Sequence, residues 1–197
     1  MSLIEIAGVV MEQNGGYITS KEARSNGIDN KTLHRMASNG LIERLARGLY
    51  VNADIFPDTF YITQYRCPRG IFSHETALFL HDFSDRNPLR LMMTIPSGWN
   101  SKLLNDENML FFYSEPERMR LGICETKTSS GMSVYVYDIE RTLCDCLRNI
   151  DKLDRDLVLT ALKQYTRRKN RDNAKLLEYA TALKIRDIVY RYLEVLT

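Results

Sequence analysis

Apolar positions recur at helical spacing from the start of the chain. Leu3, Ile6, Ala7 and Val10 share one face behind an S-x-x-E box (Ser2, Glu5), and Asn14-Gly15-Gly16 stops that helix. A second box, Thr19 with Glu22, predicts a short helix ending at Asn26-Gly27, and Asp29 caps a third that Asn39-Gly40 closes. Beyond it the period shortens. Leu41 to Arg44 and Leu49 to Val51 read as two strands joined by a turn at Arg47-Gly48. Two short capped helices followed by a β-hairpin is the element order of a winged helix-turn-helix. Asn52 to Pro57 then reads as a linker, which divides the chain into a module at residues 1–53 and a larger one at 57–197.

The larger part has a different texture. Asp58 to Arg66 is helical in pattern, and Ser73 heads another helix running to about His81. Four strand-like runs follow at Leu91 to Ile95, Met109 to Tyr113, Leu121 to Thr126 and Met132 to Val136, separated by turns bearing Pro, Gly or Ser. Asp138 caps a helix carrying Ile139, Leu143, Cys146, Leu147 and Ile150. The final helix has a stripe of Ile185, Ile188, Val189, Tyr192, Leu193 and Leu196. A small sheet with helices concentrated at the C-terminus makes the whole chain α+β.

On the third helix, a rotation of about 100° per residue sets Leu33, Met36 and Ala37 on one side and Lys31, Arg35 and Ser38 on the other. His34 flanks the polar side, with Asn30 and Thr32 at its start. A recognition helix reads bases with its first turns and meets phosphate further along or through the wing. Asn30, Lys31 and His34 are therefore candidate base readers, and Arg35, Arg44 and Arg47 candidate phosphate contacts. Thr19 and Ser20 are candidates to add contacts through N–H groups at the start of the second helix. A solvated helix face gives the same pattern, and winged helices also bind proteins.

Charge changes this picture only when divided. Residues 1–55 carry six Lys/Arg against six Asp/Glu, residues 56–159 twelve against fifteen, and residues 160–197 nine against four. Binding to DNA by the first module must therefore rest on where its cations lie, not on their excess. The C-terminal excess centres on Lys163, Arg167, Arg168, Lys169, Arg171 and Lys175, either a solvated helix end or a second nucleic-acid surface. The four cysteines contain no C-x-x-C pair and read as reduced thiols. No apolar run is long enough to span a bilayer and the opening residues lack the form of an export signal, so the chain is expected to be cytoplasmic, without membrane contact.

Catalytic patterns are sparse. Glu125-Thr126-Lys127, with Asp106 upstream, has the form of a metal-dependent nuclease E-x-K, but an exposed strand produces that alternation easily. Ser73 beside His74 suggests a nucleophile and base, yet neighbours at a helix start are expected to diverge, and Ser73 is better read as a cap. There is no P-loop, dinucleotide fingerprint or spaced metal set, so neither cofactor, metal nor enzymatic activity is expected.

Four segments carry a family resemblance in register: G-L-I-E-R-L-A-R-G-L-Y-V (Gly40 to Val51), S-H-E-T-A-L (Ser73 to Leu78), T-I-P-S-G-W-N (Thr94 to Asn100) and Y-D-I-E-R-T-L-C-D-C-L (Tyr137 to Leu147). Together they resemble the AbiEi antitoxins of AbiE abortive-infection systems. The resemblance implies a type IV toxin–antitoxin component linked to phage defence. Its winged helix would repress its own promoter at inverted repeats, and its C-terminal domain would counter a nucleotidyltransferase-like AbiEii toxin without a stable complex. A metal-dependent nuclease with a DNA-targeting winged helix, and a protein-binding winged-helix adaptor, are the alternatives.

Overall fold

The computed structural model describes residues 2–99 and 103–196, with side chains at 195 and 196 excluded. Asn100 of the third motif and the Leu196 side chain of the C-terminal stripe lie outside the described residues. The chain is α+β and forms two compact units: Met1–Arg66 with Thr128–Met132, and Cys67–Lys127 with Ser133–Thr197.

In the first unit the order is α1 (Leu3–Gln13), β1 (Tyr17–Thr19), α2 (Ser20–Ser25), α3 (Asn30–Ser38), β2 (Ile42–Ala46), β3 (Leu49–Asn52) and α4 (Thr59–Arg66). Both capping boxes form, Ser2 with Glu5 and Thr19 with Glu22, and the Asp29 carboxylate accepts the Thr32 N–H at 2.7 Å. The strands make an antiparallel sheet in the order β1-β3-β2. Strand β1 escapes the sequence reading because three residues show no period; it is defined by pairing, Tyr17 against Val51 and Thr19 against Leu49. Strand β2 extends two residues beyond the expected Arg44, with an irregular register at Leu45. Ala7, Val10, Ile18, Ala23, Ile28, Leu33, Met36 and Tyr50 fill the core between helices and sheet.

The first unit does not stop at residue 53. Tyr17, a buried side chain of strand β1, accepts the Asp58 N–H through its hydroxyl at 2.7 Å and packs edge-on against Tyr61. The Asp58 carboxylate in turn accepts the Tyr61 N–H and the Thr128 hydroxyl. Tyr61, Ile62, Tyr65 and Met132 all pack on Tyr17, Leu49 and Val51. A pattern of local hydrophobicity cannot foresee this, because the pairing of residue 58 with 17 and 128 is set by tertiary contact.

The second unit holds a five-stranded mixed sheet in the order β6-β5-β4-β8-β7, formed by β4 (Ile71–Phe72), β5 (Leu91–Pro96), β6 (Met109–Ser114), β7 (Ile123–Lys127) and β8 (Ser133–Tyr137). The four strands with a visible pattern form close to where expected. The central one, β4, was not foreseen: two residues suffice because Ile71 and Phe72 pair with β5 on one side and β8 on the other. Helices α5 (His74–Leu80), α7 (Ile139–Arg148), α8 (Arg155–Arg167), α9 (Asn173–Ala182) and α10 (Arg186–Leu196) contribute to a core that includes Leu78, Leu143, Cys144, Cys146, Leu162, Tyr165 and Leu176. A short helix, α6 (Pro116–Met119), lies between β6 and β7. All four cysteines are free thiols.

One buried cation organises this unit. Arg141 of α7 is 1% exposed; its Nε donates to Asp145 at 2.9 Å and its Nη1 to the carbonyls of Arg118 and Leu121. Its guanidinium lies over the Tyr137 ring, 4.2 Å from the centroid. Gly122, at φ +75, makes room for it, since a Cβ there would sit 2.7 Å from the Arg141 Cβ.

Candidate nucleic-acid interface

Helix α3 is amphipathic as predicted: Leu33 and Met36 are buried, while Asn30, Lys31, His34, Arg35 and Ser38 are exposed. Thr32 departs from the expectation. It is 5% exposed and its N–H serves the Asp29 cap, so its side chain is not available at the surface. Asp29 itself is exposed, and its carboxyl is held below the usual carboxylate range first by hydrogen bonds from Thr32 and then by the Lys31 and Arg35 charges. The cap therefore keeps an anion at the start of the candidate reading helix, locally offsetting Lys31.

The wing is a two-residue turn, Arg47-Gly48, between Ala46 and its partner Leu49. Gly48 adopts φ +80, which the tight turn requires and a side chain resists. The turn is fastened: the Tyr65 hydroxyl donates to the Arg47 carbonyl at 3.3 Å, and the Ser20 N–H donates to the Gly48 carbonyl at 2.8 Å. Arg44 and Arg47 are both exposed.

That fastening corrects the expectation for Thr19 and Ser20. The Thr19 N–H donates to Glu22 at 2.7 Å and the Ser20 N–H is spent on the wing, so neither is free to meet a phosphate. Their role is to close α2 and seat the wing against it. A capping box satisfies its own orphan donors, here those of Thr19 and Glu22.

The C-terminal basic cluster divides in the same way. Lys175 bridges Asp138 at 2.8 Å and Glu140 at 3.3 Å; burial lowers its proton affinity, but these two carboxylates outweigh that and raise it. Arg171 donates to the Thr166 and Arg168 carbonyls at the end of α8, and the Arg168 guanidinium lies 3.9 Å over the Phe83 ring. Each of these three cations thus has a partner within the protein. Lys163, Arg167, Lys169 and Arg171 are exposed, and Arg168 and Lys175 are half-buried.

The nuclease pattern is an edge-strand alternation: Glu125 and Lys127 are exposed on β7 with Thr126 half-buried between them. Among the described residues, no three His, Cys, Asp or Glu side chains come together as a metal set. Ser73 is a further correction. Its side chain makes no cap bond; instead it lies 2.9 Å from His74 Nδ1 and accepts the Thr94 hydroxyl at 2.9 Å. The two neighbours converge because His74 takes φ +53, which swings its ring back over Ser73. The other ring nitrogen faces Asn149 and not a carboxylate, and Ser73 is fully buried, so the pair is not laid out as a hydrolytic triad.

No described helix is long and apolar enough to cross a membrane. No curated protein matches the chain. The crystal structure of the RV2827C protein from Mycobacterium tuberculosis aligns over 98% of this chain and 80% of that one, at 10% identity and a TM-score of 0.49. A family model described as "Transcriptional regulator, AbiEi antitoxin" matches residues 11–53, so that of the four motifs only Gly40 to Val51 falls inside it. The segment holding α2, α3 and the wing is thus similar to the AbiEi antitoxin family of transcriptional regulators.

Proposed function

We propose that the protein is the antitoxin of a type IV toxin–antitoxin system and represses its own promoter by binding inverted repeats. In this reading Asn30, Lys31 and His34 read base edges in the major groove, while Arg35, Arg44 and Arg47 meet phosphates. The observation that carries the reading is the exposed cationic face of α3, backed by a buried apolar face and followed by a fastened wing, within the segment matched by the regulator family. The second unit counters a nucleotidyltransferase-like toxin of the AbiEii type in the cytoplasm, without a stable complex, a cofactor or a catalytic step of its own. Phage defence is the biological setting that goes with this role.

Binding of the full chain to duplex DNA from upstream of its own gene, measured across a salt series, tests the DNA half. Arg44→Ala or Arg47→Ala is expected to weaken binding to all sequences alike and reduce the log–log salt slope by about 0.9 per lost phosphate contact. Asn30→Ala or His34→Ala is expected to cost about 1–3 kcal/mol at a single base pair and leave the slope nearly unchanged. Parent-like binding by both classes overturns the assignment. Growth of cells expressing the neighbouring toxin gene, with and without the full-length protein, tests the other half.

A further inference from the structure

Beside the Ser73–His74 pair lies a concave cavity of about 210 Å³. Its walls come from α5, β5, β6, α7 and the 3-10 turn at Ile150–Lys152, all within the second unit. At its base His74 is buried and stacked on Phe112, with ring centroids 3.5 Å apart. The Asn149 amide bridges His74 Nε2 at 3.2 Å and the Asp145 carbonyl at 3.0 Å, which fixes the neutral ring. Arg141 also lines the cavity; its Nε and Nη1 are committed to Asp145 and to backbone carbonyls.

The charge of the cavity comes from two other side chains. Arg148 and Lys152 line it and are exposed, and both are close enough to His74 to oppose its protonation. The Asp145 carboxylate, the anion in the lining, is already spent on Arg141. Two cations thus line a pocket whose floor is held by the Ser73–His74–Asn149 hydrogen bonds. The volume falls below the roughly 300–1,000 Å³ of pockets that take drug-sized organic ligands, so it suits one small group and not a whole cofactor. A phosphate monoester is matched in size and in charge, carrying about −1.5 to −2 at neutral pH. Arginine with lysine is the usual pairing for such a group, the one as a fork and the other as a point charge.

We propose that this cavity binds the phosphate group of a small molecule, held by Arg148 and Lys152. The half-exposed Tyr113 of β6, also in the lining, offers a ring on which a nucleobase attached to that phosphate can stack. This site is separate from α3 and the wing and does not depend on the DNA-binding assignment.

Calorimetric titration of the full-length protein with inorganic phosphate and with adenosine 5′-monophosphate, at constant ionic strength, tests it. The paired variant Arg148→Ala, Lys152→Ala is expected to weaken the affinity about tenfold or more, as loss of charge-assisted bonds does. A paired variant of equal charge change, Lys163→Ala, Arg167→Ala, is expected to bind like the parent. All four positions are exposed, so both variants are expected to fold, and near-ultraviolet circular dichroism checks that they do. Tighter binding of the nucleotide than of phosphate identifies a nucleotide as the source of the group, and equal binding identifies free phosphate. Absence of binding by either, or equal weakening in both paired variants, overturns the proposal.

Discussion

Replacing Arg141 by methionine is expected to destabilise the protein by about 3–5 kcal/mol, a large part of the stability of an ordinary domain. The side chain is 1% exposed, and its loss strands the Asp145 carboxylate in a site only 7% exposed. Burial already raises the Asp145 carboxyl above its ordinary range with Arg141 beside it, which marks how poorly that site solvates a charge. The Arg118 and Leu121 carbonyls lose a donor in the same change, and Tyr137 loses its cation. Urea unfolding followed by circular dichroism measures the loss. Adding Asp145→Leu to Arg141→Met is expected to recover part of it, because removing both charges is far cheaper than isolating one. A single-variant cost below about 1 kcal/mol would show that the guanidinium is not the organising group.

The second large effect is on pH. Burial, reinforced by the Arg141, Arg148 and Lys152 charges, pushes His74 from 6.5 down to about 3. The unfolded chain therefore binds a proton at His74 below pH 6.5 that the folded chain refuses until about pH 3. Within that window the unfolded state holds more protons, so stability falls as the pH falls. At 1.36 kcal/mol per unit, His74 is expected to remove about 2 kcal/mol between pH 7 and pH 5. Denaturant melts of the parent and of His74→Gln at the two pH values measure this as a difference, the variant lacking the loss. The imidazole resonances of His74 are expected to hold their neutral shifts through pH 5; titration near 6.5 would contradict its enclosure.

The features legible in the sequence are those in which cause and effect are close along the chain. The boxes at Ser2–Glu5 and Thr19–Glu22 and the Asp29 cap satisfy donors three residues away, so their spacing is enough to place α1, α2 and α3. The polar face of α3 is likewise a matter of period. Strands β1 and β4 were not legible, because their order comes from partners more than twenty residues distant. The pairing of Lys175 is hidden for the same reason: its partners Asp138 and Glu140 belong to α7 and its cap, and nothing local to residue 175 announces them. Arg141 left a weak trace, an arginine and an aspartate four apart on the helix face opposite its apolar stripe. The turn of His74 toward Ser73 left none, since a positive φ at a histidine has no sequence signal.

The wing rests on Tyr65 and the sheet on a cluster that takes in Met132, so the stretch that folds as one body around α3 is drawn from two separate portions of the polypeptide. No single cut in the gene releases that unit with all of its packing. A chimaera that exchanges only the first fifty-odd codons would have to supply a new bed for the hairpin.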